Sequence, residues 1–135
     1  MPHNNLCSHF EKANQIIVYH NNKKTTLSKG DDKFEIILES LQNITEHAHE
    51  MPAFAVAENK NTIDALQTGL WIELVFNATK IYNDMPFDAL LIEVNKDFSG
   101  FNLIRKLNGK YDGRCFYLNL KDNMHTLEKS LKNIC

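Results

Sequence analysis

The sequence predicts an α+β domain: a mostly antiparallel β-sheet with helices packed on one face, an N-terminal hairpin and a C-terminal helix. Strand-like runs occupy Leu70–Phe76, Phe87–Val94 and Arg114–Leu120, each alternating imperfectly, so that apolar residues fall on both faces. Between them the spacing from Phe34 through Ile37, Leu38, Leu41, Ile44 and Ala48 draws a single apolar helical stripe. Hairpin-type connections dominate and repeated strand–helix–strand units are missing, which favours antiparallel pairing over a parallel sheet.

The elements follow in order. Residues 1–14 read as a loosely ordered lead-in. Gln15–Leu27 reads as a hairpin: Ile16, Ile17, Val18 and Tyr19 are strand formers, and Asn21-Asn22 suits a tight turn with positive φ. Asp31 and Asp32 open the first helix, where its dipole favours acidic groups, and Pro52 closes it. Residues 52–57 suit a short edge strand that starts at a proline. Asn61–Thr68 reads as a two-turn helix with Thr62 as N-cap and Gly69 at the C-terminal cap. The spacing of Leu70, Leu74, Ala78 and Ile81 would also continue that helix. Gly69 and the Trp-Ile and Val-Phe content favour a strand from Leu70. Asn83–Pro86 is a turn, residues 95–100 a loop, and Phe101–Leu107 a strand or short helix. Asn108-Gly109 and Asp112-Gly113 are turn signals. A last helix opens at Asp122 and carries Met124, Leu127, Leu131 and Ile134 in a narrow stripe.

At 135 residues, 43% hydrophobic and 24% charged, the chain has the size and composition of one globular domain, taken as residues 1–135. A net charge of −2 without long like-charge blocks gives no signal for nucleic acid. No apolar stretch approaches the ~20 residues that span a bilayer, so no membrane association is expected. The polar N-terminus shows no signal peptide, and three cysteines at unpaired spacing fit a reduced compartment, so the expected localisation is cytoplasmic. Two arginines against thirteen lysines, with abundant asparagine, suggest a bacterial source with A- and T-rich codons.

Catalytic and metal signatures are weak. His47 and His49 stand two apart, on different faces of a helix, and the His-Glu-x-x-His spacing is absent. Cys7 and His9 in the lead-in could join them, but lone spacings of this kind carry little weight. There is no nucleophile elbow, no phosphate loop and no dinucleotide pattern. Cys115, between Arg114 and Phe116, reads as a small strand residue rather than an activated thiol. No cofactor or metal is predicted, and enzymatic activity is not the expectation.

The second sheet face is the best lead to function. Strand parity places Trp71, Glu73 and Val75 there, with Phe87, Ala89, Leu91 and Glu93, and Cys115 and Tyr117 from the last strand. That face is more apolar than solvent exposure requires. The leading expectation is a small binding or regulatory domain acting through this face, as a homodimer or with another protein, anchored by Trp71, Phe87, Leu91 and Tyr117. Glu73 and Glu93 are expected at solvent or at the rim, because Glu is seldom buried unpaired. The basic segment Ile104–Arg114 offers Arg105 and Arg114, expected to pair with Glu73 or Glu93. The alternative is a small-molecule-binding protein or enzyme with a pocket near Glu73, Glu93, Arg105 and Arg114.

Overall fold

Two asparagines turn the first hairpin. Asn21 and Asn22 take φ of 49° and 72°, the left-handed pair that matches the twist of the flanking strands. They join β1 (Gln15–His20) to β2 (Lys23–Ser28). In this computed structural model, which describes residues 5–52, 55–121 and 123–134, that hairpin forms one edge of a seven-stranded sheet. The other strands are β3 (His49–Met51), β5 (Leu70–Tyr82), β6 (Met85–Glu93), β7 (Gly100–Lys106) and β9 (Phe116–Asn119). The order is β2-β1-β5-β6-β7-β9-β3 and every pairing is antiparallel. A two-stranded ribbon of β4 (Val56–Ala57) and β8 (Gly113–Arg114) lies apart. The α+β class with an antiparallel sheet is therefore as the sequence predicts.

Helices α1 (Asp32–Thr45) and α3 (His125–Lys132), with a 3-10 helix over Asn5–Lys12, cover one face. Phe34, Ile37, Leu38 and Leu41 from α1 and Leu127 and Leu131 from α3 pack on Ile16, Val18, Ile72, Leu74, Leu90, Ile92, Phe101 and Leu103. These strand residues share one face because they stand in register: Val18 opposes Ile72, Ile72 opposes Ile92, and Ile92 opposes Leu103. Helix α1 leaves β2 at one edge of the sheet and delivers the chain to β3 at the other.

Several boundaries differ from expectation. Within the expected lead-in, Asn5–Lys12 forms a 3-10 helix, because Leu6, Phe10 and Ala13 are fully buried in the main core; residues 1–4 lie outside the described residues. Helix α1 stops at Thr45 instead of running to Pro52. The Thr45 Oγ1 donates back to the Leu41 carbonyl at 2.8 Å, and residues 49–51 then pair with the open edge of β9. Helix α2 (Asn59–Ala65) begins two residues early with Glu58 at its N-cap. Thr62 is a buried interior residue whose hydroxyl donates to the Glu58 carbonyl at 3.0 Å. Strand β5 runs on to Tyr82, and the β5–β6 register shifts between Val75 and Lys80. That irregularity turns Phe87 onto the helix side, three residues before Leu90 on the same side, where it meets Phe76, Phe116 and His9 edge to face. Its expected place on the second face is thus corrected. Asp122, expected to open α3, lies outside the described residues; Met124 is the N-cap.

Candidate functional site

Cross-strand rows build the second face. One row runs Tyr19, Trp71, Glu93, with Tyr19 opposite Trp71 and Trp71 opposite Glu93. It continues on β7 and β9 through Asn102 opposite Tyr117. The next row holds Ile17, Glu73, Leu91 and Ile104. The chain covers part of these rows itself, with α2 and β4 from one segment and the loop leading into β8 from the other.

Reciprocal hydrogen bonds clasp those two segments together. The Asn59 amide N–H donates to Asp112 Oδ1 at 2.8 Å, and the Tyr111 N–H donates to Asn59 Oδ1 at 2.8 Å. The Cys115 N–H donates to the Ala55 carbonyl at 3.0 Å. Gly113 closes the ribbon at φ +104°, where a Cβ would lie 2.8 Å from Arg105 Nη2. The Arg105 guanidinium spans this corner, its Nε donating to the Arg114 carbonyl at 2.7 Å and its Nη1 to the Pro86 carbonyl at 2.8 Å. Burial lowers its pKa from the ordinary value.

Under the clasp sits a small second core of Trp71, Leu91 and Tyr111, flanked by Tyr19, Leu66 and Ile104. The Trp71 indole N–H donates to the Thr68 carbonyl at 2.9 Å, which fixes the ring. Glu73 is 1% exposed. Its two carboxylate oxygens accept from Tyr111 Oη at 2.6 Å and from Tyr19 Oη at 3.0 Å. Burial pushes both phenols above their usual range, and the Glu73 charge pushes them further. Lys106 Nζ stands 5.1 Å from the centroid of the Tyr111 ring.

Two clefts flank this core. The larger, about 520 Å³, lies between α2 with β4 and the sheet; Trp71, Asn102, Ile104 and Cys115 line it from the sheet side, and Glu58, Asn61, Thr62 and Asp112 from the cover. The second, about 460 Å³, is lined by Glu93, Asp97, Phe98, Ser99, Gly100, Asn102 and Tyr117. Asn102 belongs to both, and its Oδ1 is buried without a hydrogen-bond partner. Cys115 is 2% exposed, and burial pushes its thiol up, outweighing the lowering by the Asn102 side chain and by Arg105. A thiol so placed is mostly protonated near neutral pH and is a poor nucleophile.

The eight residues singled out in the sequence therefore part company. Trp71 and Leu91 are on the second face as expected, but their own chain covers them, so neither offers a free anchor to a partner. Glu73 is buried rather than at the rim, because two tyrosine hydroxyls satisfy it. Glu93 is exposed and lines the second cleft beside Tyr117. Phe87 belongs to the helix-side core. Neither arginine pairs with Glu73 or Glu93: Arg105 serves backbone carbonyls and Arg114 is exposed on β8. Sequence reasoning missed Asn59, Tyr111 and Asp112, although the Asn108-Gly109 and Asp112-Gly113 turn signals bracket Tyr111. Asn102 was missed too, though β7 alternation puts it opposite Tyr117.

The described histidines do not converge. His47 and His49 are exposed, while His9 lies against the Tyr82 and Phe87 rings with its pKa lowered by burial. Cys7 Sγ stands 3.8 Å from the Thr45 carbonyl, and burial raises its pKa. Tyr82 Oη and Asn83 both donate to the Glu50 carboxylate. Among the described residues, no three His, Cys, Asp or Glu side chains are grouped to hold a metal ion. No described helix is long and apolar enough to cross a membrane. No protein-family model matches the chain, and neither a curated protein nor a solved structure matches it.

Proposed function

We propose that this domain binds a small organic ligand in the cleft between α2 and the second face of the sheet. The observation that carries the reading is the cleft itself, about 520 Å³, lined by Trp71 and Ile104 together with the polar residues Glu58, Asn61, Asn102 and Asp112. The clasp between Asn59 and residues 111–112 holds the cover in place, so the shape is built before a ligand arrives. With Cys115 held as a thiol, the role we propose is binding, not a reaction. We place the domain in the cytoplasm, where Cys7 and Cys115, both free, stay reduced.

The test is nuclear magnetic resonance of the isotopically labelled protein against mixed neutral, anionic and cationic fragments. Binders are expected to shift the Trp71 indole and Asn102 amide signals. Asn61→Phe, at an exposed α2 position that lines the cleft, is expected to abolish those shifts while the thermal midpoint holds. Absence of any fragment that moves these signals refutes the reading.

A protein partner is the second reading, favoured by one observation. Phe98 and Met51 are 45% and 40% exposed, and each lines a cleft shared with Tyr117 at the β9 end of the sheet. A second copy or another protein docking there would cover them. Sedimentation from one to several hundred micromolar tests self-association, and a constant monomer mass with no change in Phe98→Asp removes it.

A further inference from the structure

We infer that α2 is a latched lid over the larger cleft: residues 58–68 lift from the sheet as one unit, on pivots at Glu58 and Gly69, while the sheet stays folded. It rests on the small-ligand reading above for what enters beneath the lid; the motion itself needs no ligand. The helix is turned the wrong way for a permanent cover. Of its seven residues only Thr62 is buried. Toward the cleft it presents Asn61, Thr62 and Ala65, whereas Ile63 is 45% exposed. A helix fixed to a sheet by burial carries its apolar stripe inward. Here small and polar side chains face inward, and the cleft lies between them and the sheet.

The lid keeps its internal bonds to itself. The Thr62 N–H and hydroxyl both donate to the Glu58 carbonyl, the Leu66 N–H to Thr62, the Gln67 N–H to Asp64 and the Thr68 N–H to Ala65. None of these need break when the segment moves as a body. Its ties to the sheet side stand at its two ends. Near the first, Asn59 exchanges two hydrogen bonds of 2.8 Å with Asp112 and Tyr111. Near the second, Leu66 packs on the Trp71 core and the Thr68 carbonyl accepts the Trp71 indole N–H at 2.9 Å.

Beyond each end the chain is pinned. Before Glu58, β4 pairs with β8, and the Ala55 carbonyl accepts the Cys115 N–H. After Thr68, Gly69 trades two bonds with Asn21: its carbonyl accepts the Asn21 N–H at 2.9 Å, and its own N–H donates to Asn21 Oδ1 at 3.2 Å. Gly69 stands at φ +84°, and Glu58 is extended at φ −118° and ψ 131° with no capping bond to α2. Residues at the ends of elements are where a hinge absorbs its backbone change. A few exposed bonds and one apolar contact hold such a segment far less firmly than a sheet interior is held, so it can open below the global unfolding free energy.

The experiment is native-state hydrogen exchange of the full chain by nuclear magnetic resonance, read at three protons: the Asn59 and Tyr111 amides at the latch and the Trp71 indole at the far end. All three are expected to share one protection factor within about threefold, and to exchange about a hundredfold or more faster than the Ile72 and Leu90 amides of the inner strands. Asp112→Ala removes one latch acceptor and is expected to speed the Tyr111 amide and the Trp71 indole alike, by about fivefold. Asp112→Asn keeps an Oδ1 acceptor and is expected to recover most of that protection. If Asp112→Ala speeds the Tyr111 amide and leaves the Trp71 indole unmoved, the two ends open separately and the lid is overturned. If the three protons are as protected as Ile72, the cover opens only with the whole fold, and the lid is overturned again. In either case the cleft reading stands or falls on its own fragment shifts.

Discussion

Changing Tyr111 to Phe removes one hydroxyl and little else. The ring keeps its packing on Trp71 and Leu91 and its place under Lys106. What is lost is the 2.6 Å bond to Glu73 Oε2, in a spot where Tyr111 is 4% and Glu73 1% exposed. Among the described residues Glu73 has no ion pair, so the carboxylate depends on its two phenol donors. A buried hydrogen bond to a charged group contributes about 1.5–3 kcal/mol, and a deprived buried acceptor adds its own desolvation cost. We expect Tyr111→Phe to lose about 2–3 kcal/mol of folding stability. Tyr19→Phe should lose about 1 kcal/mol, because that bond is longer and the ring is half-buried. The assay is urea denaturation at pH 7, read as a shift of midpoint at constant slope. A third variant, Tyr111→Phe with Glu73→Leu, removes both partners and should recover part of the loss. A Tyr111→Phe loss below about 0.5 kcal/mol, or one smaller than that of Tyr19→Phe, would refute the reasoning.

Three further outcomes follow. Tyr111 holds its proton above the usual phenol pKa of about 10, so between that value and the folded one the unfolded state binds fewer protons and stability falls as pH rises. Tyr111 contributes about 1.4 kcal/mol per pH unit of that slope above pH 10, with the raised Tyr19 and Tyr82 phenols adding to it, and the slope should become shallower by about that amount in Tyr111→Phe, as read by denaturation at stepped pH. Gly113→Ala forces a side chain onto φ +104° and into Arg105 Nη2, and should lose more than about 1 kcal/mol by thermal unfolding; a neutral effect would show that the β4–β8 corner yields freely. Cys115 should alkylate with iodoacetamide at pH 8 at least tenfold more slowly than in urea-unfolded protein, a ratio that mass spectrometry of its peptide reads directly; equal rates would contradict its burial.

Most of the architecture was legible because local chemistry and packing agree. Asn21-Asn22 is both a turn signal and the turn, and Gly69 at φ +84° separates α2 from β5 as its position suggested. The stripe from Phe34 to Leu41 is the buried face of α1. Errors arose where a distant strand decided the outcome. Residues 49–51 extend because β9 offers a free edge, which no window around His47 reveals. Phe87 changed sides because β5 carries extra residues opposite β6 after Val75, a mismatch visible only once the strands pair. Glu73 illustrates the limit most clearly. Its parity was right, but Tyr111 stands far along the chain and reaches it through a loop, so its burial could not be read from Ile72 and Leu74 beside it. The clefts were illegible for the same reason: α2 and the loop before β8 become neighbours only in the fold.

The path of α1 has a mechanical consequence. Its two ends feed strands at opposite margins of the sheet, β2 and β3, so this helix spans the sheet like the string of a bow. Fourteen residues of helix give about 21 Å, and six interstrand gaps about 29 Å, leaving the short connectors to make up the rest. The margins of an open sheet ordinarily fray independently. Here neither can peel far without loading the helix that holds the other, and the amides of β2 and β3 should exchange their hydrogens in one shared opening.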